Sequence, residues 1–379
     1  MTLPPPLTLD SSAFDSAAPE LPNSDAVFLV WAGERSAYLA KTSMLRRRLQ
    51  RILKRADTTG KARDTPGRML NLRAVATKVE CWLTGSKFES GLVHYTLARQ
   101  HYPETYLRMI KLRMPSYVRV TLANRFPRTQ VTTQVTARFG RSSSLYYGPF
   151  RTRGSAEHFE SQMLDLFQVR RCQEDLDPRP DHPGCIYGEM NRCLRPCQQV
   201  VSAEEYASEV LRLSEFLADG GSSMLSTIGA ARERLSEEMD VEQAARQHKR
   251  FEQVNQVLAM RDDLVTSIDR LCGIAVMPST QPDSARLFFL WQGCWQPAQE
   301  FPLTSHVSLD QRLREVIAGF TPSAVSRQER QEHLALLARW FYSTWRDGEW
   351  IGFENLAKIP YRKLVRAISR VHGKVSVSV

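Results

Sequence analysis

The stretch CQEDLDPRPDHPGCIYGEMNRCLRPC, residues 172–197, holds four of the chain's seven cysteines, with twelve, seven and three residues between successive thiols. Four thiolates brought together satisfy tetrahedral zinc, and they equally suit an iron–sulfur cluster, which takes one Cys per corner iron. The gaps are irregular and are not the CxxC knuckles of a zinc ribbon. Pro183-Gly184 and Arg195-Pro196 bend the chain beside Cys172, Cys185, Cys193 and Cys197, so residues 166–200 form a loop suited to wrapping something bulky. Spacing alone leaves iron–sulfur and zinc both open. The other cysteines, Cys81, Cys272 and Cys294, are scattered, and an odd total without an export signal speaks against a disulfide framework.

Outward from this loop the pattern predicts an α/β (α+β) multidomain chain. Residues 109–165 read as a strand-rich connector, with β-rich runs at 118–122, 129–136 and 145–147 followed by a helix over 156–167. Residues 201–275 read as helical almost throughout, from 203 to 271, broken at Asp219-Gly220-Gly221. Phe251, Val254, Leu258, Val265 and Ile268 keep a three-and-four spacing interrupted by Arg261, which predicts a helical hairpin with a coiled-coil-like seam. Residues 280–379 read as a small α/β unit with a strand at 286–291 and a helix at 332–345. In it Trp340, Phe341, Trp345 and Trp350 read as core rather than as a base-stacking platform. Upstream, residues 25–108 begin with AVFLVW, a Gly33-Glu34-Arg35-Ser36 turn and AYLA, a hairpin pattern. A basic helix at 43–55, a strand at 78–83 and a helix at 86–101 follow. Residues 1–24, with Pro4 to Pro6, read as a flexible leader.

The length, 379 residues, suits about two to three domains at roughly 150 each. With 42% hydrophobic and 24% charged residues the chain is an ordinary globular one, which excludes disordered and fibrous classes. No run approaches the roughly 18 apolar residues of a spanning helix and no signal peptide is evident, so a cytoplasmic protein without a membrane partner is expected. The charge, 51 basic against 41 acidic, is uneven. Arg46, Arg47, Arg48, Arg51, Lys54, Arg55, Lys61 and Arg63 face one acid, Asp57; Lys358, Arg362, Lys363, Arg366, Arg370 and Lys374 form a second stretch. Such stripes are the footprint of a polyanion, here DNA, because each neutralised phosphate releases counterions.

Three motifs in order resemble the UvrC family, the dual-incision subunit of bacterial nucleotide excision repair, over residues 25–271. YYGPF at 146–150 is similar to that family's Y-F-G-P-[FY] block, and GEMNRCLRPC at 188–197 to its four-cysteine loop. The resemblance implies a four-iron four-sulfur (4Fe-4S) cluster on Cys172, Cys185, Cys193 and Cys197, with zinc the lesser alternative. MDVEQAAR at 239–246 is similar to the core of the UVR motif, the hairpin that docks on UvrB. It implies a UvrB-like partner on Met239, Glu242, Ala244, Ala245 and Arg246, and a place in the SOS response.

Residues 25–108 resemble the family's GIY-YIG nuclease domain, a small mixed sheet with helices. Tyr38, Lys41 and Arg48 fall where its second Tyr, its Lys and its catalytic Arg lie, and Arg46, Arg47, Arg51, Lys54 and Arg55 would contact DNA. The set is degenerate: Phe28 stands at the first Tyr, Ala26 and Ala40 at glycines, and His94 at the metal-binding Glu. A neutral imidazole is a poor ligand for a hard divalent metal. Residues 280–379 resemble at most a linker region and lack the ribonuclease-H-like and helix-hairpin-helix modules. The main expectation is a DNA- and UvrB-binding repair protein with a weak or inactive nuclease site. The alternatives are an active single-cut endonuclease using Tyr38 and Arg48 with a divalent metal, and a redox-responsive regulator.

Overall fold

The computed structural model describes residues 3–10, 12, 14–17, 19–53, 71–136, 143–304, 306–323 and 326–376, with side chains to 373. Lys54 and Arg55, with Asp57, Lys61 and Arg63, lie outside the described residues, as does the side chain of Lys374.

The first sheet has the order β1-β4-β2-β3. Its elements are β1 (Leu7–Asp10), α1 (Phe14–Ala17), β2 (Ala26–Ala32), β3 (Arg35–Thr42), α2 (Leu45–Ile52), β4 (Lys78–Leu83), α3 (Lys87–His101) and α4 (Tyr106–Ile110). Alternation along the strands decides which helix covers which face. Ala26, Phe28 and Val30 of β2 share a core with Leu45, Leu49 and Ile52 of α2. Val27, Leu29 and Leu39 face the other way and share a core with Phe88, Leu92 and Tyr95 of α3. Ser86 starts α3 by accepting a hydrogen bond from the Glu89 amide at 3.0 Å.

The expected flexible leader is corrected. Residues 7–10 pair antiparallel with β4, from Leu7 opposite Cys81 to Asp10 opposite Lys78. The Trp82 indole donates to the Pro4 carbonyl at 2.9 Å. The edge of β4 has backbone groups to satisfy, and LTLD turns Leu9 inward.

The second unit comprises β5 (Ser116–Thr121), β6 (Thr129–Thr132), β7 (Ser144–Phe150), α5 (Arg153–Leu164), α6 (Ile186–Glu189) and α7 (Ala203–Asp219). Val118, Val120, Phe150, Phe159, Phe167, Tyr206 and Phe216 share its core. Gly148 has φ +148°, and a Cβ there would lie 2.8 Å from the Tyr117 ring, so YYGPF needs its glycine for a close approach.

The helical hairpin is α8 (Ser222–Glu237) with α9 (Val241–Ala259). Gly220 and Gly221, at φ +66° and +80°, separate α7 from α8, so the expected break stands. The expected helix to residue 271 does not: α9 ends at Ala259 and β8 (Thr266–Ser267) pairs with β7. Val265 and Ile268 are buried in two different cores rather than along one seam. Their spacing is helical by coincidence.

The last sheet, order β11-β10-β9-β13 with β12 on β10, starts at Cys272, ahead of the expected 280. It comprises β9 (Cys272–Pro278), β10 (Ser284–Trp291), β11 (Cys294–Trp295), β12 (Gln299–Pro302), α10 (Leu309–Ala318), α11 (Arg327–Phe341), β13 (Glu349–Phe353) and α12 (Tyr361–Ser376). One face packs on α10 and α12 through Leu287, Phe289, Leu313, Leu364 and Ile368. The other joins the N-terminal sheet: the Phe88 ring lies 5.2 Å from Phe288, 4.9 Å from Trp295 and 4.9 Å from Trp340, centroid to centroid. Buried Glu332 of α11 accepts from the hydroxyls of Tyr95 (2.6 Å) and Tyr106 (2.5 Å). Asp347 accepts from the Lys87 amide at 2.5 Å and from the Trp340 indole at 3.2 Å. First and last sheets thus share one core. Trp340 and Trp350 lie in it as expected, whereas Trp345 is 38% exposed.

Candidate functional site

Arg48 of α2 reaches back to β3 and donates from Nη2 to the Tyr38 hydroxyl at 3.1 Å. The fully buried Phe28 ring stands 6.0 Å from the Tyr38 ring. These three occupy the α2 face of the sheet. Lys41, three residues beyond Tyr38, follows Leu39 onto the α3 face and meets His94 there. Burial first, then the charges of Lys41 and Arg339, push the His94 imidazole down to about 4, so it is neutral at pH 7. Lys41 is exposed as a whole residue, but burial of its amine, and then the Arg339 guanidinium, lower its pKa. The five residues expected as one set therefore divide into a Tyr38–Arg48 pair with Phe28 and a Lys41–His94 pair. Glu89 is engaged elsewhere: buried, it pairs with Arg286 at 3.1 Å and accepts from the Gly85 amide at 2.9 Å.

Of the basic stripe, Arg47 and Arg51 are exposed on the outer face of α2. Arg46 is half-buried, its Nε bonded to the Leu21 carbonyl at 2.6 Å.

In the cysteine loop Cys193 and Cys197 are buried, Cys172 is half-buried and Cys185 is exposed. The chain is cross-tied by Leu194 N to Gln168 O (3.0 Å), Arg179 N to Cys197 O (3.0 Å) and Gln198 Nε2 to His182 O (3.1 Å). Burial pushes the Cys193 thiol up to about 11, and the charges of Cys172, Cys185 and Cys197 add to the rise. Cys197 is raised by burial and by Cys185 and Cys172. Cys193 and Cys197 thus each lie within electrostatic reach of the other three thiols. Among the described residues, no three His, Cys, Asp or Glu side chains are gathered tightly enough to hold a single metal ion. The sulfurs also have donors of the kind that support thiolate ligands: the Arg195 amide reaches Cys193 Sγ at 3.4 Å and Arg170 Nη1 reaches Cys172 Sγ at 3.4 Å. The donor chemistry fits a sulfur-ligated centre.

Arg170 is a residue that sequence reasoning missed. It is 1% exposed, with Nε on the Phe126 carbonyl at 2.9 Å and Nη1 on the Glu174 carbonyl at 2.7 Å. Its place two positions before the first cysteine was the available signal.

MDVEQAAR spans the end of the connection between α8 and α9, Met239 and Asp240, and the first residues of α9, Val241 to Arg246. Met239 has φ +56°, and Asp240 caps α9 by accepting from the Gln243 amide at 3.1 Å. Met239 is 86% and Val241 76% exposed. Glu242 pairs with Arg246 at 2.5 Å, Ala245 is exposed and Ala244 half-buried. The buried residues of α9, Val254 and Val257, lie in its second half, so its first half projects from the core.

Residues 116–216, from β5 into α7 and including all four loop cysteines, match the family model of the UvrC/Cho excinuclease middle domain. The chain is similar to proteins described as UvrABC system protein C. That of Alcanivorax borkumensis is 29% identical over 55% of this chain and 32% of its own length. That of Moorella thermoacetica is 25% identical over 68% and 43%. That of Ruminiclostridium cellulolyticum is 21% identical over 92% and 57%. The chain thus spans about a third to somewhat over half the length of these relatives. No solved structure matches it.

Proposed function

We propose that the chain, whose residues 116–216 match the UvrC/Cho excinuclease middle domain, is a UvrC-family protein that works in nucleotide excision repair, binding DNA and a UvrB-like partner, with a nuclease site that is weak or inactive. The observation that carries the nuclease part is the division of the candidate set. Tyr38 and Arg48 can hold and polarise a phosphodiester, but the position of the metal-binding acid is filled by a neutral His94 on the opposite face. Incubation with a damaged duplex in magnesium, then manganese, is expected to give no nick. Metal-dependent cutting that disappears in Arg48→Ala would establish the single-cut endonuclease instead.

Arg47 and Arg51, joined by Arg46, are the phosphate contacts of this reading. The projecting hairpin end, with Met239, Glu242, Ala244, Ala245 and Arg246, is the partner surface, where an exposed Met offers an adaptable apolar contact. Cys172, Cys185, Cys193 and Cys197 hold a 4Fe-4S cluster. Such a cluster supplies a four-point cross-link and a redox centre; the protein's own part is to stiffen the loop and aim amide and guanidinium donors at sulfur. Anaerobically purified protein should be brown and contain iron and labile sulfide, whereas a colourless, stoichiometric zinc protein would overturn the assignment.

A further inference from the structure

We propose that the cleft between the N-terminal sheet and the end of α11 is a second nucleic-acid site, which takes a phosphodiester of single-stranded DNA on Lys41, Lys87 and Arg339 and the adjoining base on Trp345. The cleft is an open cavity of about 360 Å³, in the size range of small-ligand sites, roughly 300–1,000 Å³.

Its cations come from three separate elements: Lys41 from β3, Lys87 from the first position of α3 and Arg339 from α11. Neither lysine forms an ion pair with a described residue. Arg339 gives one Nη1 bond to the Ile110 carbonyl at 2.8 Å, which leaves further guanidinium donors for a ligand. Asp25 lines the cavity and Asp347 lies beside it, its Oδ2 on the Lys87 amide at 2.5 Å, so three cations meet two carboxylates and the site keeps an excess of positive charge. Trp345 lines the same cavity and is 38% exposed, although Trp340 and Trp350 of the same unit are 9% exposed or less. Cations that track a backbone beside an exposed indole make the pattern of single-strand binding, in which the base must leave the duplex stack to reach the ring.

The site lies on the α3 face of the sheet, away from the α2 stripe, and the inference rests on the repair reading only in taking DNA as the polyanion. The two are tested together by fluorescence anisotropy of a labelled oligothymidylate of about ten nucleotides and of a labelled duplex. Trp345→Ala is expected to weaken oligothymidylate binding about fivefold or more, the smaller end of measured base–aromatic stacking. Trp345→Phe should restore most of it. Lys87→Gln should lower the salt slope for the single strand by about 0.7. Neither change should alter duplex affinity, and Trp345 fluorescence should be quenched by the oligonucleotide.

Unchanged oligothymidylate affinity in both Trp345→Ala and Lys87→Gln, with duplex binding intact, would overturn this inference alone. Loss of duplex binding in the wild-type protein would instead strike the repair reading, and the single-strand arm would still decide this one. Displacement of the oligonucleotide by equimolar inorganic phosphate would show a free-anion site and overturn strand binding.

Discussion

Two histidines are held neutral by burial, and their cost appears in acid. His94 is pushed down to about 4 and the fully buried His333 to about 3, both chiefly by burial, from 6.5. Below pH 6.5 the unfolded chain takes up protons on these imidazoles and the folded chain does not, so stability falls as pH drops towards 4 and levels off beneath the folded values. At pH 5 the loss is roughly 2 kcal/mol for His94. Urea midpoints at pH 7 and pH 5 should differ accordingly, and His94→Gln should shrink that difference by about half. Arg170 acts through its hydrogen bonds. Arg170→Met keeps the stem but strands the buried Phe126 carbonyl and releases the part-buried Glu174 carbonyl, and should cost about 3 kcal/mol. Limited proteolysis should then cut within residues 171–200 at protease levels that spare the wild type. Neither role was legible in the sequence, where a histidine or arginine carries no mark of burial; the four cysteines stood out there only by their clustering within residues 172–197.

Among the elements, those with a strong local period were readable: the β2–β3 hairpin through its alternation, α2 through Leu45, Leu49 and Ile52, and α3 through Ser86 and Pro103. β1 was not, because a proline-rich start hides a strand whose only reason to form is the open edge of β4. The end of α9 was misread because Val265 and Ile268 continue a helical spacing into a turn. The hairpin has two regimes that substitution should separate. Gly221→Ala places a methyl at φ +80°, 2.8 Å from the Phe216 ring and 3.0 Å from Leu258, and should destabilise the fold by about 1–2 kcal/mol. Met239→Asp, at the exposed turn, should leave the melting temperature within about a degree, since isolated surface changes stay near ±0.5 kcal/mol. Capture of a UvrB-like protein should be lost in Met239→Asp and retained in Gly221→Ala at temperatures where that variant is folded.

At the scale of the molecule, the α11 helix was recognisable but its destination was not. Apolar positions show which face must be covered, never by what, and here α11 closes the core of a sheet that begins some three hundred positions earlier. Trp340→Ala should therefore cost about 3–5 kcal/mol and lower the unfolding of first and last sheets together, seen as one shifted transition by both far-UV dichroism and tryptophan emission. Two separate transitions would show that the sheets fold independently. The seam of β1 along β4 has a further consequence. With β1 in place, residues 78–81 of β4 are paired on both sides; remove residues 3–10 and all of β4, VECWL included, becomes an outermost row with free amides and carbonyls. Such a row recruits whatever extended chain arrives first, including the same ribbon of a neighbouring molecule, so the few residues at the start of the chain act as a guard against self-association.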